Sequence, residues 1–246
     1  MSATTAIFDL FGTLVAAPSR SDRAAAVHAL SAVTESSTAA VDAYLDESWM
    51  TRHDGSLPDV DSLVDDLMKH LCSSASPSRV AAMWRSLATP RVVPDRSVSA
   101  LLTDLRANGI RIGLISDASA EIAEAWLPGR LAQEVNHAVF SCTSGALKPS
   151  AVLYREALER LDARPEEALY VGDGGGDELR GAQEVGMTPV RVARRGGANT
   201  LAYGVGPMWD GLTLSSVEEI SPERLVRLGE HPLATVHAGS GRPVYR

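Results

Sequence analysis

Five polar residues stand at or just beyond the ends of short apolar runs, and their types suit work on a phosphoryl group. Asp9 closes the run in AIFDLFGTLV, Ser116 follows RIGLI, Lys148 lies in SGALKPS, and Asp173 and Asp177 bracket three glycines in VGDGGGDELRG. Each alone has a plainer reading. Asp9 precedes a Gly-containing turn, Ser116 suits a helix N-cap, Lys148 before Pro149 suits a solvated surface, and Asp177 suits the cap of a helix starting at Glu178. Together they are harder to dismiss. Carboxylates gathered at one place repel one another unless a cation sits among them or one is protonated. Oxygen-only ligands with room for water suit Mg²⁺ better than zinc. A magnesium ion, a lysine and a hydroxyl around one carboxylate make a receptor for a phosphoryl group, which that carboxylate attacks in line. Backbone amides in the turn after Asp9 would cradle the same oxygens, with Gly12 easing the tight path.

Convergence of these residues requires a parallel sheet, whose carboxyl ends share one edge. Runs over 5–11, 111–116, 137–141, 168–172 and 188–193 are short and apolar, as strands buried on both faces are. Helical patterns over 95–109, 150–163 and 177–187 alternate with them, closing at Gly109 and Gly186 in the first and last cases. The expected class is therefore α/β, a doubly wound parallel sheet. Residues 17–88 differ. They are alanine-rich, show no strand, and carry four amphipathic runs near 21–34, 38–50, 59–72 and 77–88, with 52–59 as a connecting loop. The expected organisation is a core from 1–16 and 89–228, a helical insert over 17–88, and a poorly ordered tail over 229–246. An insert leaving after the first strand sits at the carboxyl edge, where it is placed to act as a lid.

Bulk properties exclude several functions. The 246 residues are 45% hydrophobic and 5% aromatic, with a formal charge of −8. That charge argues against broad nucleic-acid or anionic-membrane binding. Two cysteines make neither a disulfide framework nor a zinc cluster, and the six histidines form no H-E-x-x-H pair. No G-x-G-x-x-G fingerprint is completed, because the one beginning at Gly172 ends on Asp177, and Lys148 is followed by Pro149 rather than Ser or Thr. A basic leader and a bilayer-length apolar run are both missing, so a soluble, cytoplasmic protein is expected.

The motifs in order, FDLFGTL, LISDAS, GALKPS and VGDGGGDELRGAQEVGM, resemble those of the haloacid dehalogenase-like (HAD) hydrolase superfamily. The resemblance implies a Rossmann-like core and an α-helical cap over 17–88. It implies Asp9 as nucleophile, Ser116 as a phosphoryl-contacting hydroxyl and Lys148 as the stabilising cation. Mg²⁺ would be held by Asp9, the Phe11 carbonyl and Asp173, with Asp177 supporting directly or through water. The implied activity is phosphohydrolysis of a small phosphorylated metabolite through an aspartyl-phosphate.

Phe11 departs from the pattern. Phosphatases of this superfamily usually carry a second aspartate there as general acid and base, and a phenyl ring transfers no proton. Three readings follow: a phosphohydrolase whose leaving group needs little protonation or is protonated from elsewhere; a 2-haloacid dehalogenase, whose halide leaves without a proton; and a metal- or ligand-binding protein with vestigial catalysis. The retained acid at Asp173 weighs against the dehalogenase. His28, His53, Asp22 and Asp54 are candidate proton donors in the insert, and Arg20, Arg23, Trp49 and Arg52 candidate substrate contacts, by type and position alone. Arg194 and Arg195 also follow a strand toward the same edge, although two solvated arginines are the expected reading.

Overall fold

The protein is seen in a computed structural model describing residues 3–196, 201 and 209–230. The chain opens with β1 (Thr5–Phe8) and enters five helices: α1 (Arg20–Thr34), α2 (Thr38–Glu47), α3 (Trp49–His53), α4 (Val60–His70) and α5 (Pro77–Ala88). It returns through a 3₁₀ turn (Thr89–Val92) into α6 (Arg96–Ala107) and β2 (Arg111–Ser116). There follow α7 (Ala120–Trp126), α8 (Arg130–Glu134), β3 (His137–Phe140), α9 (Ser141–Ser144), α10 (Ala151–Arg160) and β4 (Ala168–Gly172). Last come α11 (Glu178–Glu184), β5 (Thr188–Val192), β6 (Thr213–Leu214) and α12 (Pro222–Glu230). The strands form one sheet in the order β3-β2-β1-β4-β5-β6, every pairing parallel. This is the doubly wound α/β core.

The sheet is buried on both faces, which is why β1 and β4 read as unbroken apolar runs. On one side Phe8, Leu114, Leu169 and Val190 join Leu102 and Leu105 of α6. On the other, Ile7, Ile115 and Tyr170 meet Leu153, Tyr154 and Leu158 of α10 and Leu179 of α11. Hydrophobic burial of this kind is worth about 25 cal/mol per Å².

Four of the five helices after β1, α1, α2, α4 and α5, build their own core from Leu30, Val41, Tyr44, Leu63, Leu67, Val80 and Trp84, with Ala120 of α7 joining it. Their starts are set locally. Ser19 and Asp59 form capping boxes at α1 and α4, and Pro77 opens α5. The expected helix over 38–50 is two helices, because the backbone at Ser48 (φ −87°, ψ 3°) leaves the α-helical range and begins a new turn there. As a result α3 takes Arg52 and His53 from the expected loop. After α3 the backbone at Gly55 runs against Gly145, beyond β3, so this unit reaches the carboxyl edge of the sheet.

β1 is shorter than the run 5–11. The Leu10 carbonyl accepts the amides of Thr13, Leu14 and Val15, so the chain turns there although Leu10 stays buried. Of the tail expected over 229–246, residues 229–230 belong to α12 instead, and the rest lies outside the described residues. No helix among the described residues is long and apolar enough to cross a membrane.

Arg195, expected as a solvated side chain, instead pairs with Asp95 and with Glu218, tying the segment after β5 to α6 and the C-terminal region. Burial alone would raise Glu218, but Ser216, Ser97 and Arg195 bring its pKa from 4.5 down to about 2. A carboxylate depressed in the folded state stabilises the fold above its unfolded value and loses that contribution as pH falls through the folded one. Urea titrations should therefore show stability falling between about pH 4.5 and 2 by about 1–2 kcal/mol more in the native protein than in Glu218→Gln, after allowance for solvent screening. Parallel acid profiles for the two proteins would contradict this.

Candidate active site

Three strand ends supply the centre. Asp9 follows β1, and its amide donates to the Val171 carbonyl at 2.9 Å, locking it to β4. Continuing the register sets Asp9 level with Ile115 and Gly172, so Ser116 and Asp173 stand one residue further along the flanking strands. Ser116 is buried at the end of β2.

Lys148 comes in from the loop before α10. Its Nζ donates at 2.6 Å to Asp9 Oδ1 and at 2.6 Å to Glu178 Oε2, with the lysine side chain only 6% exposed. Its backbone amide donates to Asp117 Oδ1 at 3.0 Å, which anchors the loop. Thr13 Oγ1 donates to the other oxygen of Asp9 at 3.0 Å. Both oxygens of the Asp9 carboxylate are thereby oriented.

One oxygen each of Asp9, Asp173 and Glu178 lies within 4.8 Å of the others, all three residues being buried. Their oxygens are not equally committed. Glu178 accepts from Lys148, from the Tyr170 hydroxyl at 2.8 Å and from the Gly174 amide at 2.9 Å. Asp173 Oδ1 accepts the Gly175 amide at 2.9 Å, and its Oδ2 accepts Arg194 Nε in a very short contact. Glu178 thus fixes the lysine and the glycine loop, while Asp9 and Asp173 face each other across the turn at Gly12. Two glycines make this approach possible. A Cβ at Gly12, where φ is +89°, would lie 2.2 Å from Asp173 Oδ2, and one at Gly172 would lie 2.2 Å from Glu178 Oε1.

The electrostatics follow from crowding. Burial first, then Glu178, pushes the Asp9 pKa up to about 7 against the opposing pull of Lys148. Burial and the Asp173 charge raise Glu178 as well. Burial disfavours the Lys148 ammonium, but Asp9, Glu178 and Asp117 hold its pKa well above 10.5. Asp117 is raised chiefly by burial. Four carboxylates, Asp9, Asp117, Asp173 and Glu178, meet two cations, Lys148 and Arg194, among the described residues here. The donor set is all oxygen and short of positive charge, which fits a hard divalent cation.

Asp177 stands apart from this group. It starts α11 from a left-handed conformation (φ 56°), its side chain makes no capping bond, and it pairs with Arg180 at 3.8 Å. Thr13, Asp117 and Glu178 had not been singled out from sequence, and Arg194 lies against Asp173 rather than in solvent. Among the insert residues, Arg23 pairs with Asp42 and Asp46, and Arg52 donates to the Leu45 carbonyl and Ser48, so both hold the helical unit together. Of the turn amides, those of Gly12, Thr13, Leu14 and Val15 donate to carbonyls within the turn, and those of Leu10 and Phe11 donate no bond among the described residues.

Known proteins are similar to this chain in sequence and in fold. The aligned part of the chain is 30% identical over 134 residues to a glyceraldehyde 3-phosphate phosphatase of Methanopyrus kandleri, covering 53% of this chain and 58% of that one. It is 32% identical over 96 residues to a phosphoserine phosphatase of Thermus thermophilus, covering 39% of each. The chain therefore spans less than two thirds of these curated relatives. In fold it is similar to a HAD family enzyme of Bacteroides thetaiotaomicron solved as a magnesium complex (TM-score 0.63, 16% identity, 81% of this chain and 96% of that one). A dehalogenase crystal structure shares the fold less closely (TM-score 0.55, 20% identity, 89% and 95%). The family model for haloacid dehalogenase-like hydrolases matches residues 3–186, from β1 through α11, and the chain belongs to that family.

Proposed function

We propose that this protein is a Mg²⁺-dependent phosphohydrolase acting on small phosphorylated molecules through an aspartyl-phosphate on Asp9. The observation that carries the reading is the excess of carboxylates over cations around a carboxylate whose two oxygens are oriented by Lys148 and Thr13. Phosphatase names among the curated relatives support the substrate class. The metal would be held by Asp9, Asp173 and the Phe11 carbonyl, with Asp177 acting through water. When bound, it would neutralise phosphoryl oxygens as a Lewis acid.

The chain's own residues account for the rest. Lys148 and Thr13 fix the plane of the Asp9 carboxylate. Ser116 and the Leu10 and Phe11 amides contact the phosphoryl oxygens. An Asp9 oxygen forms a bond to phosphorus as the bond to the leaving oxygen breaks. Water then attacks the acyl phosphate, releasing phosphate and restoring Asp9. The helices over 17–88 serve as the cap that covers the site during these steps.

Phe11 offers no proton at either step, and an absent acid–base group typically costs about 10²–10⁴-fold. Turnover is therefore expected to favour good leaving groups and acyl phosphates. Arg194 also matters, because its guanidinium holds an oxygen of Asp173 that the metal needs. By calorimetry Arg194→Gln should bind Mg²⁺ about three- to tenfold more tightly than the native protein. Equal or weaker binding would mean that Arg194 positions Asp173 for the ion instead of competing with it.

The reading is tested by phosphate release from a panel of alkyl esters, aryl esters and acyl phosphates with Mg²⁺ or EDTA, beside halide release from 2-haloacids. Mg²⁺-dependent phosphate release, fastest from aryl and acyl phosphates, is the expected result. Halide release insensitive to EDTA would overturn it in favour of the dehalogenase that an aromatic at position 11 also suits.

A further inference from the structure

Two consecutive arginines follow β5, and each reaches a different part of the molecule. Arg194 turns to the site. Its Nε donates to Asp173 Oδ2 in a very short contact, and its Cγ lies 3.2 Å from where a Cβ on Gly12 would stand. Asp173 Oδ2 covers the same place on Gly12, so the arginine stem and the carboxylate share the space that the absent side chain leaves. Arg195 turns the other way. Its guanidinium pairs with Asp95 and, at 2.7 Å, with Glu218. Its amide donates to the Gly12 carbonyl at 2.8 Å, and its carbonyl accepts the Ala17 amide at 3.0 Å.

These bonds meet at both crossings between the core and the helical unit. Ala17 lies in the outgoing linker, between β1 and α1, and Asp95 in the returning one, between α5 and α6. Arg195 holds both. The Leu201 amide adds a bond to the Pro18 carbonyl of the outgoing linker at 2.7 Å. Elsewhere the helical unit rests on α7 through Ala120, and Arg85 pairs with Glu124 at 2.7 Å, an exposed contact worth little.

Asp173 cannot give one oxygen in full to both Arg194 Nε and a divalent ion, and the ion's charge repels the guanidinium. With its stem packed on Gly12, the Arg194 head leaves Asp173 only as the stem moves off the turn. Neighbouring Cα atoms are about 3.8 Å apart, so Arg195 feels that movement directly. It strains the Arg195 bond to Gly12 and the ties to Ala17 and Asp95. The ties and the ion thus favour different positions of one short segment.

We propose that Arg194 and Arg195 form a latch between the cation site and the two linkers of the helical unit. Both linkers are fastened while Arg194 holds Asp173, and they loosen when Asp173 gives that oxygen to the ion. The proposal rests on the cation part of the phosphohydrolase reading and not on turnover. Its consequence is that the helical unit swings more freely over a loaded site than over an empty one. Such coupling is reciprocal: if the ion loosens the linkers, loosened linkers favour the ion.

The test is a double-mutant cycle on Mg²⁺ affinity, measured by calorimetry at about 0.15 M salt. Asp95→Asn cuts the tie to the returning linker. The Asp95 side chain is 73% exposed and makes no capping bond to α6, so the fold should tolerate the change. Removing a negative charge by itself weakens cation binding, so tighter binding has to come from the latch. Asp95→Asn is expected to bind Mg²⁺ about fivefold more tightly than native protein, and to change affinity less than about twofold in an Arg194→Gln background. Hydrogen exchange at the Ala17 amide should speed up about tenfold on adding Mg²⁺ to native protein, and about twofold or less in Arg194→Gln. Equal or weaker binding in Asp95→Asn, an effect that persists in Arg194→Gln, or Ala17 exchange unmoved by Mg²⁺ would overturn the latch. Absence of Mg²⁺ binding from all four proteins would overturn the latch and the cation site together. Mg²⁺-dependent phosphate release without the coupling would sink the latch alone. The coupling without phosphate release from any ester would sink the catalytic reading and leave the latch standing.

Discussion

Replacing Lys148 by methionine is expected to remove about 3–5 kcal/mol of stability in metal-free buffer, read from urea denaturation. The methionine fills similar space, so the loss is electrostatic. Lys148 is 6% exposed and joins Asp9 to Glu178 at 2.6 Å on each side. Without it, two buried carboxylates repel each other with Arg194 as the remaining cation named at the site, and that residue is engaged by Asp173. A fall of this size is a large fraction of the roughly 5–15 kcal/mol that holds a domain folded. Added Mg²⁺ should restore part of the stability in the variant and more of it than in the native protein, since the ion would meet a site with one fewer positive charge. A loss under about 1 kcal/mol would mean that the carboxylates are protonated in the folded protein and that the lysine neutralises nothing.

Asp9→Asn should do the reverse, leaving stability within about 1 kcal/mol and removing activity. The amide has the shape of the carboxylate and keeps an acceptor for Lys148 or Thr13, and it takes one charge out of a crowded group. An amide oxygen is a poor nucleophile toward phosphorus, so phosphate release should fall on the order of 10³-fold or more. Comparing the two variants separates roles that a single substitution confuses. On the proposed mechanism Lys148 would support the fold and the charge balance, whereas Asp9 would supply the attacking atom. Activity in Asp9→Asn within about tenfold of native would place the nucleophile elsewhere.

Much of this was legible in the sequence because a buried parallel sheet leaves a strong mark. The runs at β1, β2 and β4 are mostly apolar since both faces are covered, and each ends on or is followed by a buried polar residue at the carboxyl edge of the sheet. The four helical runs of the insert were legible for a similar reason, each burying one stripe against the others. The charge partners were less legible. Glu178 looks like any helix-opening acid beside Asp177, and only the left-handed backbone at Asp177 turns Glu178 into the core and leaves its neighbour outside. Asp117 and Thr13 act by hydrogen bonds to residues 31 and 4 positions away, which no local pattern records. Arg91 meets Phe11 across 80 positions of chain, and neither residue type announces the other. β6 is two residues long and gave no period to read. The helix at Pro222–Glu230 did carry a signal, Ser221 before Pro222, and Ser221 Oγ accepts the Arg224 amide as a cap would.

The proposed catalysis turns on a covalent bond between Asp9 and phosphorus. Phe11 lacks an exchangeable proton, so attack of water on that intermediate is expected to be slow, and the intermediate should accumulate during turnover. The most direct test is to mix native protein with an acyl or aryl phosphate in Mg²⁺, quench in acid within seconds, and map the phosphoryl group by peptide mass spectrometry. The predicted result is one phosphoryl group on the peptide at Asp9, absent from Asp9→Asn and from EDTA-treated protein. Phosphate released at the native rate with no label on Asp9, or with the label on another residue, would contradict it.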